Sequence, residues 1–184
     1  MAPLTVAVTG GIGAGKSAAL AAFARRGVPT LSADEVVHRL IGEDPEVRAA
    51  LEERLGTTDR AEIAAVVFAD PEQLAWLESL LHPRVRDATE EWLARRDTPV
   101  AVVEIPLLYE TGGDARFDSV VVITAPAEVR EARAQRVEDR RATRLLPDDE
   151  KVRRADFAYV NDGTLEELDT FVADVIDRLG SGAR

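Results

Sequence analysis

Apolar residues occur along this chain in two patterns, short β-branched runs and longer stretches in which they recur every three or four positions. The short runs are typical of strands, and they lie at residues 4–9, 27–32, 99–104, 117–124 and 157–160. The longer stretches between them are typical of helices. Because strands and helices alternate, we predict an α/β fold with a doubly wound parallel sheet of about five strands and helices on both faces.

The segment from about residue 45 to 96 lacks a strand pattern and is helical almost throughout. Pro83 stands inside this segment, where a proline marks a helix start or a kink. At 184 residues the chain is long enough for one domain with a full hydrophobic core. We therefore predict a single domain, with a core of residues 1–44 and 97–184 and a helical insertion at about 45–96.

Composition restricts the classes of protein to which this chain can belong. Its hydrophobic content of 46% is that of a globular protein, and no apolar run approaches the ~18 residues of a membrane span. The net charge of −11 argues against a general nucleic-acid surface. Since the chain has no cysteine, disulfides and thiolate metal sites are excluded. We expect a cytoplasmic protein with no membrane or nucleic-acid partner, and the sequence leaves its oligomeric state open.

The most specific motif follows the first strand. Residues 10–17 read Gly-Gly-Ile-Gly-Ala-Gly-Lys-Ser, which is the spacing G-x-x-x-x-G-K-S of a phosphate-binding loop, or P-loop. Glycines permit positive φ angles and a close approach of backbone N–H groups to phosphate oxygens, and the helix that follows directs its N-terminus at the same anion. The candidate nucleotide-binding residues of this stretch are Gly10, Gly11, Gly13, Ala14, Gly15, Lys16, Ser17 and Ala18.

A P-loop indicates a nucleotide with β- and γ-phosphates, together with Mg²⁺. Lys16 is placed to reach the β- and γ-phosphates, and the Ser17 hydroxyl is placed to ligate Mg²⁺.

Two acidic residues lie at or just after the ends of predicted strands. Asp34 comes after the second strand and is a candidate for acid–base work, or else a favourable charge at the start of the next helix. Glu104 ends the third strand, where it can hold Mg²⁺ or its waters, or accept loop hydrogen bonds as a structural carboxylate.

Basic residues cluster in two further places. His82 lies near Arg84 and Arg86, and is either a structural histidine in a helix or part of a site for an anionic ligand. Nine basic residues lie between Arg130 and Arg154, and we expect most of them on a solvated helical face and a few of them facing phosphate. Arg130 opens this segment and is expected on the solvated side, so its replacement should have little effect.

Together these residues resemble those of the dephospho-CoA kinase family, P-loop kinases that phosphorylate the ribose 3′-hydroxyl of dephospho-CoA in the last step of CoA synthesis. The resemblance covers nearly the whole chain. Besides the P-loop it rests on Ser32-Ala-Asp34, on His82-Pro83 with Arg86, on Glu104-Ile-Pro-Leu-Leu-Tyr-Glu110, and on Ala155-Asp156 followed by Asn161-Asp-Gly163. It implies a P-loop NTPase-type sheet, ATP and Mg²⁺ as cofactors, and dephospho-CoA as the small-molecule substrate.

The resemblance also implies roles for individual residues on the acceptor side. Asp34 corresponds to the family's catalytic aspartate, which accepts the proton of the ribose hydroxyl or orients that hydroxyl. Glu104 corresponds to the acid near Mg²⁺. The helical insertion would bind the acceptor, and the residues that would lie near it are His82, Pro83, Arg86 and Glu110.

The remaining implied roles concern the nucleotide. Asn161 and Gly163 would lie in a loop beside the adenine. A lid at about residues 130–147 would close over ATP, with Arg136 and Arg141 as the arginines that face phosphate. These two arginines would act in catalysis together with Asp34 and Lys16.

Three departures from the family pattern bear on these expectations. Ser32 stands where the family usually has an aspartate, Leu145 stands where a glutamine is common, and the lid is short.

Two rival interpretations of the function stay open. One is another small-molecule or nucleotide kinase of the same architecture, against which the helical insertion argues. The other is a non-catalytic nucleotide-binding module, which the short lid alone favours.

Overall fold

The computed structural model describes residues 2–133 and 145–182 of the chain, and over these residues it contains five strands, eight α-helices and a short 3-10 helix at Asp114–Arg116. The strands are β1 (Leu4–Gly10), β2 (Thr30–Ser32), β3 (Val100–Glu104), β4 (Ser119–Thr124) and β5 (Phe157–Val160). The helices are α1 (Lys16–Arg25), α2 (Ala33–Glu43), α3 (Pro45–Leu55), α4 (Arg60–Ala69), α5 (Pro71–Ala94), α6 (Ala127–Arg133), α7 (Asp148–Arg154) and α8 (Leu165–Gly182). Within the described ranges, no helix is both long and apolar enough to cross a bilayer.

The strands form one sheet in the order β2-β3-β1-β4-β5. Strand β1 pairs in parallel with β3 and with β4, and β4 pairs in parallel with β5. Val8 lies opposite Glu104 of β3, and Gly10 lies opposite Ile123 of β4. Because parallel strands end at the same edge of a sheet, the loop that follows β1 lies between the segments that follow β3 and β4. The predicted α/β fold with about five parallel strands is confirmed.

The central strands are apolar throughout because both faces of the sheet are covered. On one face, Val6 and Val8 belong to a core that includes Phe23 of α1 and Leu168 of α8. On the other face, Ala7 of the same strand packs with a second cluster. That cluster contains Leu108, Tyr109, Val120 and Val122. A strand buried on both sides cannot show the alternation of a half-exposed strand, which explains the continuous apolar run from 100 to 103.

The chain divides into two compact units, one formed by the described residues of 1–31 and 93–184 and the other by residues 32–92. The second unit is helical and has its own hydrophobic core, formed by Ile41, Val47, Leu51, Ile63, Val67, Leu77 and Leu81. It begins at Ser32, earlier than the boundary near residue 45 that the sequence suggested. The reason is that α2 contributes Ile41 to this core and packs against α3.

Pro83 lies in the interior of α5, which runs unbroken from Pro71 to Ala94. It therefore does not start a helix, which was one of the two interpretations of this proline. Proline lacks the N–H that would continue the helical hydrogen bonds. The helix continues because Leu77 and Leu81 on one side of Pro83 and Thr89 on the other are buried, so tertiary packing offsets the local penalty.

Candidate active site

The P-loop joins β1 to α1, as the sequence predicts. Gly10, Gly13 and Gly15 have φ angles of 148°, 73° and 98°, which residues with a Cβ rarely adopt. Two of these positions also lack room for a side chain. A Cβ on Gly10 would lie 1.9 Å from the carbonyl oxygen of Ile123, and a Cβ on Gly15 would lie 2.1 Å from Nδ2 of Asn161. The glycines are therefore required by the packing around the loop as well as by the approach to phosphate.

Positive charge converges on this loop from the start of α1. No side chain caps the first N–H groups of the helix, so these donors and the helix dipole are available to an anion. The Nζ atom of Lys16 donates to the carbonyl oxygens of Gly10 and Gly11 at 3.2 and 3.1 Å. The ammonium group is thereby held across the loop. Ser17 and Ala18 follow in the first turn, where Ser17 is exposed and Ala18 is half-buried.

Asn161 connects the P-loop to the segment after β5. Its side chain is buried, and its Nδ2 donates to the carbonyl oxygen of Ala14 at 2.9 Å. Its backbone oxygen accepts a hydrogen bond from Nη1 of Arg133 at 3.1 Å. Gly163, two residues later, is exposed and leaves room for Glu167, whose carboxylate accepts a backbone hydrogen bond at the start of α8. Asn161 thus orders the P-loop, whereas Gly163 accommodates a helix cap.

Arg130 lies against the P-loop, and the expectation that it belongs to a solvated face is wrong. A Cβ on Gly11 would lie 2.8 Å from Nη1 of Arg130, and a Cβ on Gly13 would lie 2.9 Å from its carbonyl oxygen. The same Nη1 forms an ion pair with Oδ2 of Asp148 at 3.3 Å. The physical reason is the sheet order. Since β4 pairs with β1, the helix that follows β4 begins beside the loop that follows β1.

The lid predicted at about residues 130–147 is described at its two ends alone, residues 130–133 and 145–147. Arg136 and Arg141, the two arginines expected to face phosphate, lie outside the described residues. Arg130 and Arg133 are the described arginines of the segment, and both reach the P-loop region, Arg133 through its bond to Asn161. Helical periodicity along the sequence could not identify them, because it does not show which side of α6 meets the loop.

Glu104 ends β3 beside the strand that leads into the P-loop. It is 7% exposed and lies opposite Val8 in the register of β1. The N–H of Ile105 donates to the carbonyl oxygen of Val8 at 2.9 Å, which continues the pairing past the end of the strand. The carboxylate of Glu104 and the hydroxyl of Ser17 supply hard oxygen donors, the type that Mg²⁺ prefers. The residues present therefore fit this cation in their chemistry.

Glu110 is held by a buried ion pair. Its Oε1 lies 2.8 Å from Nζ of Lys151 and accepts a hydrogen bond from the backbone N–H of Leu146 at 2.9 Å. The side chain of Lys151 is 0% exposed and that of Glu110 is 9% exposed. The second carboxylate oxygen, Oε2, is buried without a hydrogen-bond partner in the described part of the chain. The sequence assigned Glu110 to the acceptor and did not reveal this pair, which joins α7 to the segment after β3.

Tyr109, next to Glu110, belongs to a second polar group. Burial raises the pKa of its hydroxyl and Asp114 raises it further, whereas Arg154 lowers it. The guanidinium of Arg154 lies 4.2 Å from the centroid of the tyrosine ring and donates to Asp114 at 3.0 Å. A phenol whose pKa is raised stays protonated at neutral pH. Tyr109 therefore adds a neutral hydroxyl, and no negative charge, to this region.

We expect Lys151→Met to lower the free energy of unfolding by about 3 kcal/mol or more, because it leaves the Glu110 carboxylate buried without its countercharge. The double variant Lys151→Met/Glu110→Gln should recover most of this loss, since an amide oxygen can still accept from Leu146. Urea unfolding of the parent, both single variants and the double variant measures the coupling. The control is Arg153→Met, which removes an exposed cation from the same helix. A Lys151→Met variant as stable as this control would contradict the prediction.

Four of the residues assigned to chemistry or to the acceptor lie in the helical unit. Asp34 is the second residue of α2, directly after β2, and it is exposed. His82, Pro83 and Arg86 are exposed positions of α5, and His82 and Arg86 share one side of the helix because they are four residues apart. The core of this unit uses none of the four. Their side chains are thus accessible to a ligand.

The parallel sheet centred on β1, the P-loop between β1 and α1, and the lysine held across that loop define a P-loop nucleotide-binding protein. The family model described as Dephospho-CoA kinase matches residues 4–167. The chain belongs to the dephospho-CoA kinase family.

Individual relatives agree with this assignment. The chain is 42% identical to the Dephospho-CoA kinase of Mesorhizobium japonicum, over 96% of each chain. Among solved structures, it resembles TT1252 from Thermus thermophilus with a TM-score of 0.82 and 33% identity, over 97% of this chain and 99% of that one. The Dephospho-CoA kinase from Campylobacter jejuni has a TM-score of 0.72 at 23% identity, over 99% of this chain and 100% of that one, and supports the fold alone.

Proposed function

We propose that this protein transfers the γ-phosphoryl group of ATP to the ribose 3′-hydroxyl of dephospho-CoA and so forms CoA, the last step of CoA synthesis. The observation that carries the proposal is the family match over residues 4–167, which includes both the P-loop and the helical unit. The kinase family implies the use of ATP. Mg²⁺ and the roles of individual residues are part of the proposal.

The phosphate end of the reaction depends on charge that is already in place. Phosphoryl transfer through a loose transition state requires in-line positioning and cations around the moving group. The P-loop N–H groups and the N-terminus of α1 bind phosphate oxygens, and Lys16 places its ammonium group at the β- and γ-phosphates. Two arginines of the lid, Arg136 and Arg141, are proposed to add charge at the γ-phosphoryl group. Asn161 keeps the loop in its binding conformation through Ala14.

Ser17 and Glu104 are the residues that would hold Mg²⁺ or its waters. Held there, Mg²⁺ would supply positive charge that neutralises part of the charge on the phosphate oxygens. Ser17 offers a hydroxyl from the first turn of α1. Glu104 offers a carboxylate from the end of β3, and its burial limits the number of conformations that the carboxylate can adopt.

Asp34 is the proposed catalytic residue on the acceptor side. A carboxylate can orient the ribose hydroxyl or accept its proton as transfer proceeds. His82, Pro83 and Arg86 are proposed to contact the acceptor, where an exposed guanidinium can bind a phosphate of dephospho-CoA. Ser32 carries a hydroxyl in place of the family's usual aspartate. We therefore assign the orientation of the ribose hydroxyl, or the acceptance of its proton, to the carboxylate of Asp34.

A coupled assay for ADP release tests the proposal. We expect release to depend on dephospho-CoA, with kcat/KM on the order of 10²-fold above that for AMP or adenosine, because binding energy from the pantetheine arm helps to orient the ribose. Product analysis must place the new phosphate on the 3′-hydroxyl. Comparable kcat/KM for AMP would indicate a nucleotide kinase. ATP binding without acceptor-dependent ADP release would indicate a non-catalytic module.

A further inference from the structure

A pair of opposite charges lies directly beside the first half of the P-loop, and none of the proposed roles uses it. The position that a Cβ of Gly11 would occupy is 2.8 Å from Nη1 of Arg130 and 3.3 Å from Oδ1 of Asp148. The two side chains are 3.3 Å apart and about a third exposed. Gly11 itself is buried beneath them. Arg130 and Asp148 thus lie against the loop that would receive an anion.

The ion pair uses a small part of the hydrogen-bonding capacity of Arg130. A guanidinium has five N–H donors, and Nη1 makes the contact with Asp148. Nε is buried without a hydrogen-bond partner in the described ranges. A buried donor without an acceptor is unfavourable. An oxyanion at this position would supply acceptors for a guanidinium that is already in place.

Asp148 is the feature that makes this pair more than a connection between α6 and α7. A carboxylate beside an anion-binding loop repels a triphosphate, and the guanidinium of Arg130, 3.3 Å from this carboxylate, offsets that repulsion. The contact of 3.3 Å is longer than a well-formed charge-assisted hydrogen bond, and the pair is partly exposed. Such pairs contribute little to stability, so a phosphate oxygen can compete with Asp148 for the guanidinium.

We propose that Arg130 binds the polyphosphate chain of ATP above Gly11, and that Asp148 is the alternative partner that the guanidinium leaves when nucleotide binds. The inference rests on the proposed function for the identity of the nucleotide. It adds a phosphate ligand from α6 to those of the P-loop. It also assigns opposite effects to the two members of one ion pair, which a purely structural pair would not have.

The test measures binding of magnesium tripolyphosphate and of adenosine to each variant by calorimetry, without any acceptor. Arg130→Gln should raise the Kd for tripolyphosphate by about ten-fold or more, the scale of a lost charge-assisted hydrogen bond. Asp148→Asn should lower that Kd by about two- to five-fold, the scale of a partly exposed ion pair. Adenosine, which has no phosphate, should bind equally well to the parent and to both variants.

The matched controls are Arg153→Gln and Asp149→Asn, which alter an exposed arginine–aspartate pair of α7 in the same way. Both should bind tripolyphosphate like the parent. The inference is overturned if Arg130→Gln binds tripolyphosphate within twofold of the parent, if Asp148→Asn binds it equally or more weakly, or if adenosine binding falls in parallel. Should Arg130→Gln fail to fold in a thermal-unfolding assay, the Asp148→Asn result decides alone.

The acceptor does not enter these titrations, so the two proposals can fail separately. A parent protein that binds tripolyphosphate as expected but phosphorylates AMP as well as dephospho-CoA would refute the proposed function and leave the assignment of Arg130 standing. Normal turnover of dephospho-CoA by the parent protein, together with an Arg130→Gln variant whose Kd for tripolyphosphate is unchanged, would refute the assignment of Arg130 and leave the proposed function standing.

Discussion

Replacing Lys16 with alanine is expected to lower kcat/KM for ATP on the order of 10³-fold. The hydrogen bonds of Lys16 to the carbonyl oxygens of Gly10 and Gly11 hold its ammonium group across the loop, close to where we propose that it contacts the phosphates. Because this charge acts on bound ATP as well as on the transition state, we expect ATP binding and kcat both to fall. Calorimetry with ATP and the coupled ADP assay separate the two effects.

Arg26→Ala is the matched control for Lys16→Ala. It also removes one positive charge, but at the residue that follows the last turn of α1, so turnover should stay within about twofold of the parent. Equal thermal unfolding midpoints of the two variants would show that the loss in Lys16→Ala is not one of folding. A Lys16→Ala enzyme that keeps kcat/KM within tenfold of the parent would remove the lysine from the transfer step.

The Asp34→Asn variant should behave in a different way, with ATP affinity within a few-fold of the parent and kcat lowered on the order of 10²- to 10⁴-fold. The amide has nearly the shape of the carboxylate but can neither accept a proton nor carry a charge. Since Asp34 is exposed at the start of α2, the change should leave the fold intact. Steady-state kinetics with varied dephospho-CoA, together with ATP titration, measures both quantities.

Glu35→Gln is the control for Asp34→Asn, because Glu35 is the next residue, is also exposed, and lies in the same first turn of α2. Both variants remove one negative charge from the N-terminus of this helix. If the aspartate acted only on the helix, the two variants would have equal effects on kcat. Near-normal turnover in Asp34→Asn would exclude this residue from the mechanism.

Much of the fold was predictable from local patterns. Runs of β-branched residues mark strands because such side chains fit a pleated, buried surface, and all five predicted strands occur in the sheet. The P-loop was predictable for the same kind of reason. Its glycines and Lys16 form one continuous stretch, so their spacing carries the geometry of the site directly. The assignments of Asp34 and Glu104 to strand ends likewise needed no knowledge beyond the order of strands and helices.

Charge partners were the part that local patterns missed. Glu110 and Lys151 are 41 positions apart in sequence, yet they form a buried ion pair between the segment after β3 and α7. No periodicity connects them, because the contact arises only when the segment after β3 and α7 cover the same face of the sheet. The density of charged residues between 130 and 154 predicted solvated arginines. It could not show that Arg130 has Asp148 and the P-loop as neighbours, because these contacts also arise only when the chain folds.

The sequence alone determined the type of fold, the position of the phosphate-binding loop and the membership of the chain in a kinase family, because the pattern or motif behind each inference consists of residues close together along the chain, even where several motifs are combined. The tertiary structure alone decided that α5 continues through Pro83, that the helical unit begins at Ser32, and that Arg130 faces the loop. These depend on which surfaces are buried against one another. Parallel pairing of β4 with β1 is what brings α6 to the P-loop, and that pairing joins strands more than 100 residues apart.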